Sequence, residues 1–83
     1  MRVQIENAGL TSAWSESFKG REGDQVEFYR ALVTVPGEAP MQLSVAKDDY
    51  PLLSEQIGTV GTATVEIDAR PGNRVRVYLK EID

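Results

Sequence analysis

Apolar and polar positions alternate with a period of two through most of the chain, and no stretch of helical period runs long. The pattern therefore predicts a β protein. In residues 2–6, Val3 and Ile5 share one face and Arg2, Gln4 and Glu6 the other, which predicts a first strand. Asn7, Ala8 and Gly9 carry turn chemistry, because asparagine and glycine tolerate positive φ. Residues 10–25 are polar and punctuated by glycine, with Leu10, Trp14 and Phe18 spaced four apart. One or two helical turns fit that spacing, but the serines and glycines favour a long connection or a ragged strand.

β-branched and aromatic residues fill 26–35, a second strand. Tyr29, Ala31, Val33 and Val35 then face inward, and Phe28, Arg30, Leu32 and Thr34 outward. Pro36-Gly37 opens a loop, and 41–45 alternates cleanly as a third strand. Asp49 is placed to cap a short helix, with Pro51 in its first turn, Leu52, Leu53, Glu55, Gln56 and Ile57 following, and Gly58 ending it. A fourth strand covers 59–67, with Gly61, Ala63, Val65 and Ile67 on one face; small residues at 61 and 63 suit a curved wall or a close contact. Arg70-Pro71-Gly72-Asn73 is a turn, and 74–82 is the last strand, with Val75, Val77 and Leu79 inward. Five strands with one short helix between the third and fourth predict a small all-β, OB-type barrel, a single domain over 1–83.

Composition narrows the chemistry. Eighty-three residues hold one domain with a thin core, and such domains gain buried area by dimerising. The chain has no cysteine and no histidine, which removes disulfides, thiolate nucleophiles, Cys/His zinc sites and imidazole bases. No apolar run reaches the ~20 residues of a membrane helix, and the opening MRVQIENAG lacks the apolar core of a signal peptide. A soluble, cytoplasmic protein is expected. Nine basic residues stand against thirteen acidic ones, a net charge of −4 that opposes long-range attraction to polyanions but leaves room for a local basic stripe.

Strand residues two apart share a face, so Arg74, Arg76, Tyr78 and Lys80 form an outward row on the last strand. Cationic groups neutralise phosphates, and a tyrosine ring offers a base a stacking platform; the plainer reading is a charged strand edge guarded against pairing. A second cluster lies upstream. Lys19 and Arg21 flank Gly20 in a flexible basic turn, Trp14 and Phe18 precede it, and Phe28 with Arg30 follows. An exposed phenylalanine beside an arginine suits a stacking surface, unless a bulge flips the register and buries it. Trp14 reads more readily as a satellite core residue or a dimer contact. The acids Asp48, Asp49, Glu66 and Asp68 lack the spacing of a calcium loop and read as a helix cap and solvated strand residues. No nucleotide fingerprint or catalytic set is present, so no enzyme, cofactor or metal is expected.

In length and element order, and in the run Arg21-Glu22-Gly23 leading into the second strand, the chain resembles the gene-five type of single-stranded DNA-binding protein of filamentous phages and related mobile elements. That resemblance implies an OB-fold homodimer that coats single strands during DNA replication, with Arg21 as a backbone-contacting residue. Val26 falls where the family tends to place a stacking aromatic, with Phe28 two residues on, and Asp24 stands where another basic residue is expected. The resulting expectation is nonspecific binding of single-stranded DNA, with RNA as an alternative ligand. Lys19, Arg21, Arg30, Arg74, Arg76 and Lys80 would contact phosphates, and Phe28 and Tyr78 would stack, with Trp14 or Phe18 as further platforms. The competing expectation is a protein–protein adaptor barrel.

Overall fold

The computed structural model, which describes residues 1–72 and 74–83, joins Arg2–Lys19 into one continuous strand, β1. The turn expected at Asn7-Ala8-Gly9 is instead a bend inside it. Asn7 takes a left-handed backbone (φ 57), which its short polar side chain tolerates. An extra residue there shifts the ladder between Ile5 and Ala8, so Ala8 is buried while Ile5, three positions earlier, packs against the core. The segment 10–25 resolves into the outer half of β1 and a tight tip.

Four further strands follow: β2 (Gln25–Thr34), β3 (Met41–Val45), β4 (Val60–Arg70) and β5 (Arg74–Ile82). They close with β1 into a barrel of order β1-β2-β3-β5-β4. Neighbours are antiparallel except β3 and β5, which run parallel and are joined through Ser44 and Tyr78. The single helix, α1 (Tyr50–Glu55), lies between β3 and β4. This is the OB-type barrel that the pattern predicts. No helix among the described residues is long and apolar enough to cross a membrane.

The interior is built from alternating strand residues: Leu10, Ala31, Val33, Leu43, Val45, Ala63, Val65 and Leu79, with Leu53 of α1 inserted among them. Burying each of the leucine and valine side chains contributes about 1.5–3 kcal/mol before ordering entropy is subtracted. Asp49 occupies the N-cap position of α1 as expected, but its side chain makes no capping bond; the carboxylate accepts a hydrogen bond from Lys80 Nζ instead, at 3.1 Å. Gly58 has positive φ (95°), two residues beyond the C-cap Gln56, and donates its N–H to the Leu10 carbonyl.

One inward assignment on β5 needs correction. Val75 pairs with Ala69 on the core-facing side of the β4–β5 hairpin, but this hairpin runs past the end of the barrel, and Val75 is 61% exposed. Nearer the C-terminus the ladder shifts at Lys80, so that Leu79 and Ile82, three apart, both reach the core. Lys80 is the extra residue at this shift and has no partner in the β4–β5 register. Of the predicted turn, Asn73 lies outside the described residues.

Gly61 is small for a reason of contact. The chain beyond Ile82 pairs with β4 through reciprocal bonds between Thr62 and Asp83, each 2.9 Å, and a Cβ on Gly61 would overlap the Asp83 carbonyl. Gly61→Ala is expected to destabilise the fold by about 1–3 kcal/mol through overpacking, read as a lower urea midpoint; an unchanged midpoint would show that this closing contact is not required.

Candidate nucleic-acid interface

Directly opposed residues of a ladder project to the same face, so the registers define the outer surface row by row. Along the β1–β2 ribbon Trp14 faces Arg30, Glu16 faces Phe28, and Phe18 faces Val26. Arg30 in turn faces Ser44 of β3, and Ser44 faces Tyr78 of β5. One surface therefore carries Trp14, Arg30, Ser44 and Tyr78 in a line across four strands. The register is the one that leaves Phe28 outside, 42% exposed.

A bulge makes this arrangement possible. Leu10 pairs with Val33 while Ser12 pairs with Leu32, so Thr11 is an extra residue in β1. Leu10 is buried on the inside. Four residues on, Trp14 stands on the outside and is half-buried there. Beyond it the ribbon leaves the barrel. Phe18 and Val26, 51% and 42% exposed, flank Phe28, and the Phe18 and Phe28 rings meet edge to face with centroids 5.5 Å apart. That geometry is the favourable one for aromatic pairs. It keeps a ridge of apolar rings in water.

β3 and β5 are paired in register at one position only, and clefts open on either side of it. An open cleft of about 560 Å³ is lined by Val26, Phe28, Arg30, Ser44, Lys47 and Tyr78, among others. A second, of about 380 Å³, lies between Phe28, Arg30, Gln42, Ser44 and Arg76. Phe28, Arg30 and Ser44 line both. Arg76 Nη1 donates to the Tyr78 hydroxyl at 3.3 Å, which holds the guanidinium beside the ring. Lys80 lies 5.7 Å from the centre of the same ring. Phe28, Arg30, Arg76 and Tyr78 are thus brought together. Lys19 and Arg21 stand at the tip of the β1–β2 ribbon and Arg74 at the tip of the β4–β5 hairpin, all exposed.

The face is not uniformly cationic. Glu16 accepts hydrogen bonds from Trp14 Nε1 at 3.0 Å and Arg30 Nε at 3.2 Å. The Trp14 hydrogen bond and the Arg30 charge hold its carboxyl below the usual carboxylate range, against a smaller opposing effect of burial. Asp68 faces Arg76 and Glu66 faces Tyr78 across the β4–β5 ladder. Partial burial pushes the Glu66 carboxyl up, but the Met1 ammonium and Arg2 together outweigh it and hold it below its ordinary value. Glu27 points to the other side of the ribbon, where it accepts the Tyr29 hydroxyl at 2.8 Å. That bond raises the Tyr29 pKa and keeps the phenol protonated. Among the described residues, Lys19, Arg21, Arg74 and Arg76 form no ion pair, and no three carboxylates gather into a cation site.

Three contributors escaped the reading of the sequence. Gln42 and Ser44 are the outward positions of β3 and followed from its alternation. Glu16 shares the parity of Trp14 and Phe18, so the same alternation would have placed it among them once 10–19 was known to be part of a strand. No family model, curated protein or solved structure matches the chain.

Trp14 is the sole tryptophan and donates to Glu16, so its fluorescence reports that carboxylate. A lowered folded-state pKa means the stabilisation by Glu16 is fully present above the ordinary glutamate range and lost as pH falls through the depressed value. Trp14 emission is expected to titrate in a single step below that range, and the step should vanish in Glu16→Gln. A step at the ordinary glutamate pKa would contradict the pairing.

Proposed function

We propose that this barrel binds single-stranded nucleic acid, in the first instance DNA, across the outer face of β1, β2, β3 and β5. The observation that carries the reading is the convergence of Phe28, Arg30, Arg76 and Tyr78 on clefts between two projecting hairpins. Aromatic rings accept bases of any sequence by stacking, and guanidinium groups beside them neutralise the phosphates between the bases. The strand 2–3 face, flanked by the β1–β2 and β4–β5 connections, is also where OB-type barrels take oligonucleotides, although fold alone does not choose a ligand.

In this reading Phe28 and Tyr78 are the stacking platforms, Phe18 extends the platform along the ribbon, and Trp14 lies at its inner end. Arg30 and Arg76 meet phosphates in the clefts, and Lys19, Arg21 and Arg74 meet them at the hairpin tips. Lys80, tied to Asp49, contributes charge from below Tyr78. Binding is independent of sequence, because the groups that reach the clefts recognise rings and phosphates rather than base edges. The resemblance to the gene-five type proteins supports the same reading and extends it to a homodimer acting in DNA replication in the cytoplasm.

One observation favours a protein–protein adaptor instead. Acids interleave with the cations of this face: Glu16 on Arg30, Asp49 on Lys80, Asp68 across from Arg76. A partner docking on the Phe18–Val26–Phe28 ridge would bury apolar area and depend little on salt.

The separating experiment is titration with a poly-thymidine oligomer, followed by Trp14 fluorescence at low and raised salt. Quenching that fades with salt is expected, with a log–log slope of about −0.7 for each phosphate neutralised. Phe28→Ala should cost about 1–3 kcal/mol of binding, and Arg76→Ala should flatten the slope by about 0.7. No response at low salt from folded protein, with or without the Glu16 carboxylate, would overturn the reading in favour of the adaptor.

A further inference from the structure

Glu16 is the acid at the centre of the proposed face, and its two hydrogen-bond partners are both groups that suit a phosphate. The Trp14 indole N–H and the Arg30 Nε–H converge on the two oxygens of one carboxylate, at 3.0 and 3.2 Å. Glu16 faces Phe28 across the ladder, so the carboxylate lies beside the ring that would stack. The pair is also open to solvent: the side chains of Arg30 and Glu16 are 32% and 34% exposed. An ion pair at that exposure contributes little to stability, so retention of the fold does not require it. Its electrostatic effect on an incoming anion is larger. It cancels the one guanidinium that lines both clefts and sets a negative charge where a phosphate would approach.

We propose that Glu16 is a built-in competitor for phosphate, occupying Trp14 and Arg30 in the free protein and lowering the affinity of the face for nucleic acid. The inference rests on the nucleic-acid reading above. It names a residue that sets the strength of binding and moderates the affinity of this stacking surface for polyanions. Binding then proceeds by exchange: a phosphate oxygen displaces the carboxylate from Arg30, and the Glu16 side chain swings toward solvent. The opposite role is equally definite in its consequences. If Glu16 served to orient Arg30 so that its free terminal nitrogens met the phosphate, removing the carboxylate would weaken binding.

The test compares wild type, Glu16→Gln and Glu55→Gln in titrations with a poly-thymidine oligomer over a salt series. Glu55, an exposed residue of α1, controls for the change in total charge. Freeing Arg30 for one more phosphate contact should steepen the slope by about 0.7 and tighten binding about eightfold at 50 mM salt and about fourfold at 150 mM. Glu55→Gln should leave the slope unchanged. The gain should disappear in the Glu16→Gln/Arg30→Gln double variant, and Glu16→Ala should reproduce it if the glutamine variant folds poorly.

Wild-type binding with equal or weaker binding by both Glu16 variants would overturn the competitor role and leave the nucleic-acid reading standing. A gain that survives loss of Arg30, or that Glu55→Gln matches, would also overturn it. Silence from wild type with binding by Glu16→Gln would support the inference in its strongest form. Silence from every variant would overturn both.

Discussion

Closure of the barrel depends on a single strand serving two neighbours. β1 pairs with β4 along its first half and with β2 along its second, and the exchange occurs around Gly9, which faces Val60 on one side and Thr34 on the other. A strand cannot turn this corner while remaining flat, since a barrel wall must bend and twist as it closes. The bend is concentrated at two irregularities, the left-handed Asn7 and the extra residue Thr11. Each adds a residue to one strand of a pair and so reverses which side chains face the core beyond it. The interior and the outer face are therefore set by the same two steps.

The hairpins follow from that geometry. Once β1 and β2 have covered the core, their ladder continues outward as a ribbon with nothing beneath it, and β4 with β5 does the same on the other side. Side chains that would be core residues inside the barrel become exposed there, as Val75 shows, and apolar rings such as Phe18 and Phe28 remain in water. A monomeric surface rarely keeps such a ridge unless it meets a ligand or partner. The parallel contact of β3 with β5 through Ser44 and Tyr78 completes the arrangement, and the clefts that Arg30 and Arg76 line open on either side of it.

Charge on this face is decided locally. The chain is acidic in total, yet the acids do not spread evenly: Glu27 turns away to Tyr29, and Asp49 and Glu66 are engaged with Lys80, Arg2 and the amino terminus. At physiological ionic strength a charge acts over about 8 Å, so an anion approaching this face responds to Arg76, Arg30 and Glu16 rather than to the net −4. Among these groups Arg30 and Glu16 are paired with each other.

Read alone, the sequence determined the fold class, the helix and its place, three of the five strands nearly to their ends, and the outward placement of Phe28, Arg30, Arg76 and Tyr78. Those features depend on alternation and on glycine and proline chemistry, both of which are local. It did not determine that 10–19 belongs to the first strand, that Val75 lies outside the core, that Lys80 is the extra residue of a bulge, or that Glu16 joins the candidate site. Each of those turns on a bulge, or on where the barrel ends, and a bulge has no signature of its own in hydrophobic spacing. Leu10 and Trp14, four apart and both apolar, read as one face; the tertiary structure puts them on opposite sides of the sheet, because closing the barrel requires one residue more in β1 than β2 can pair.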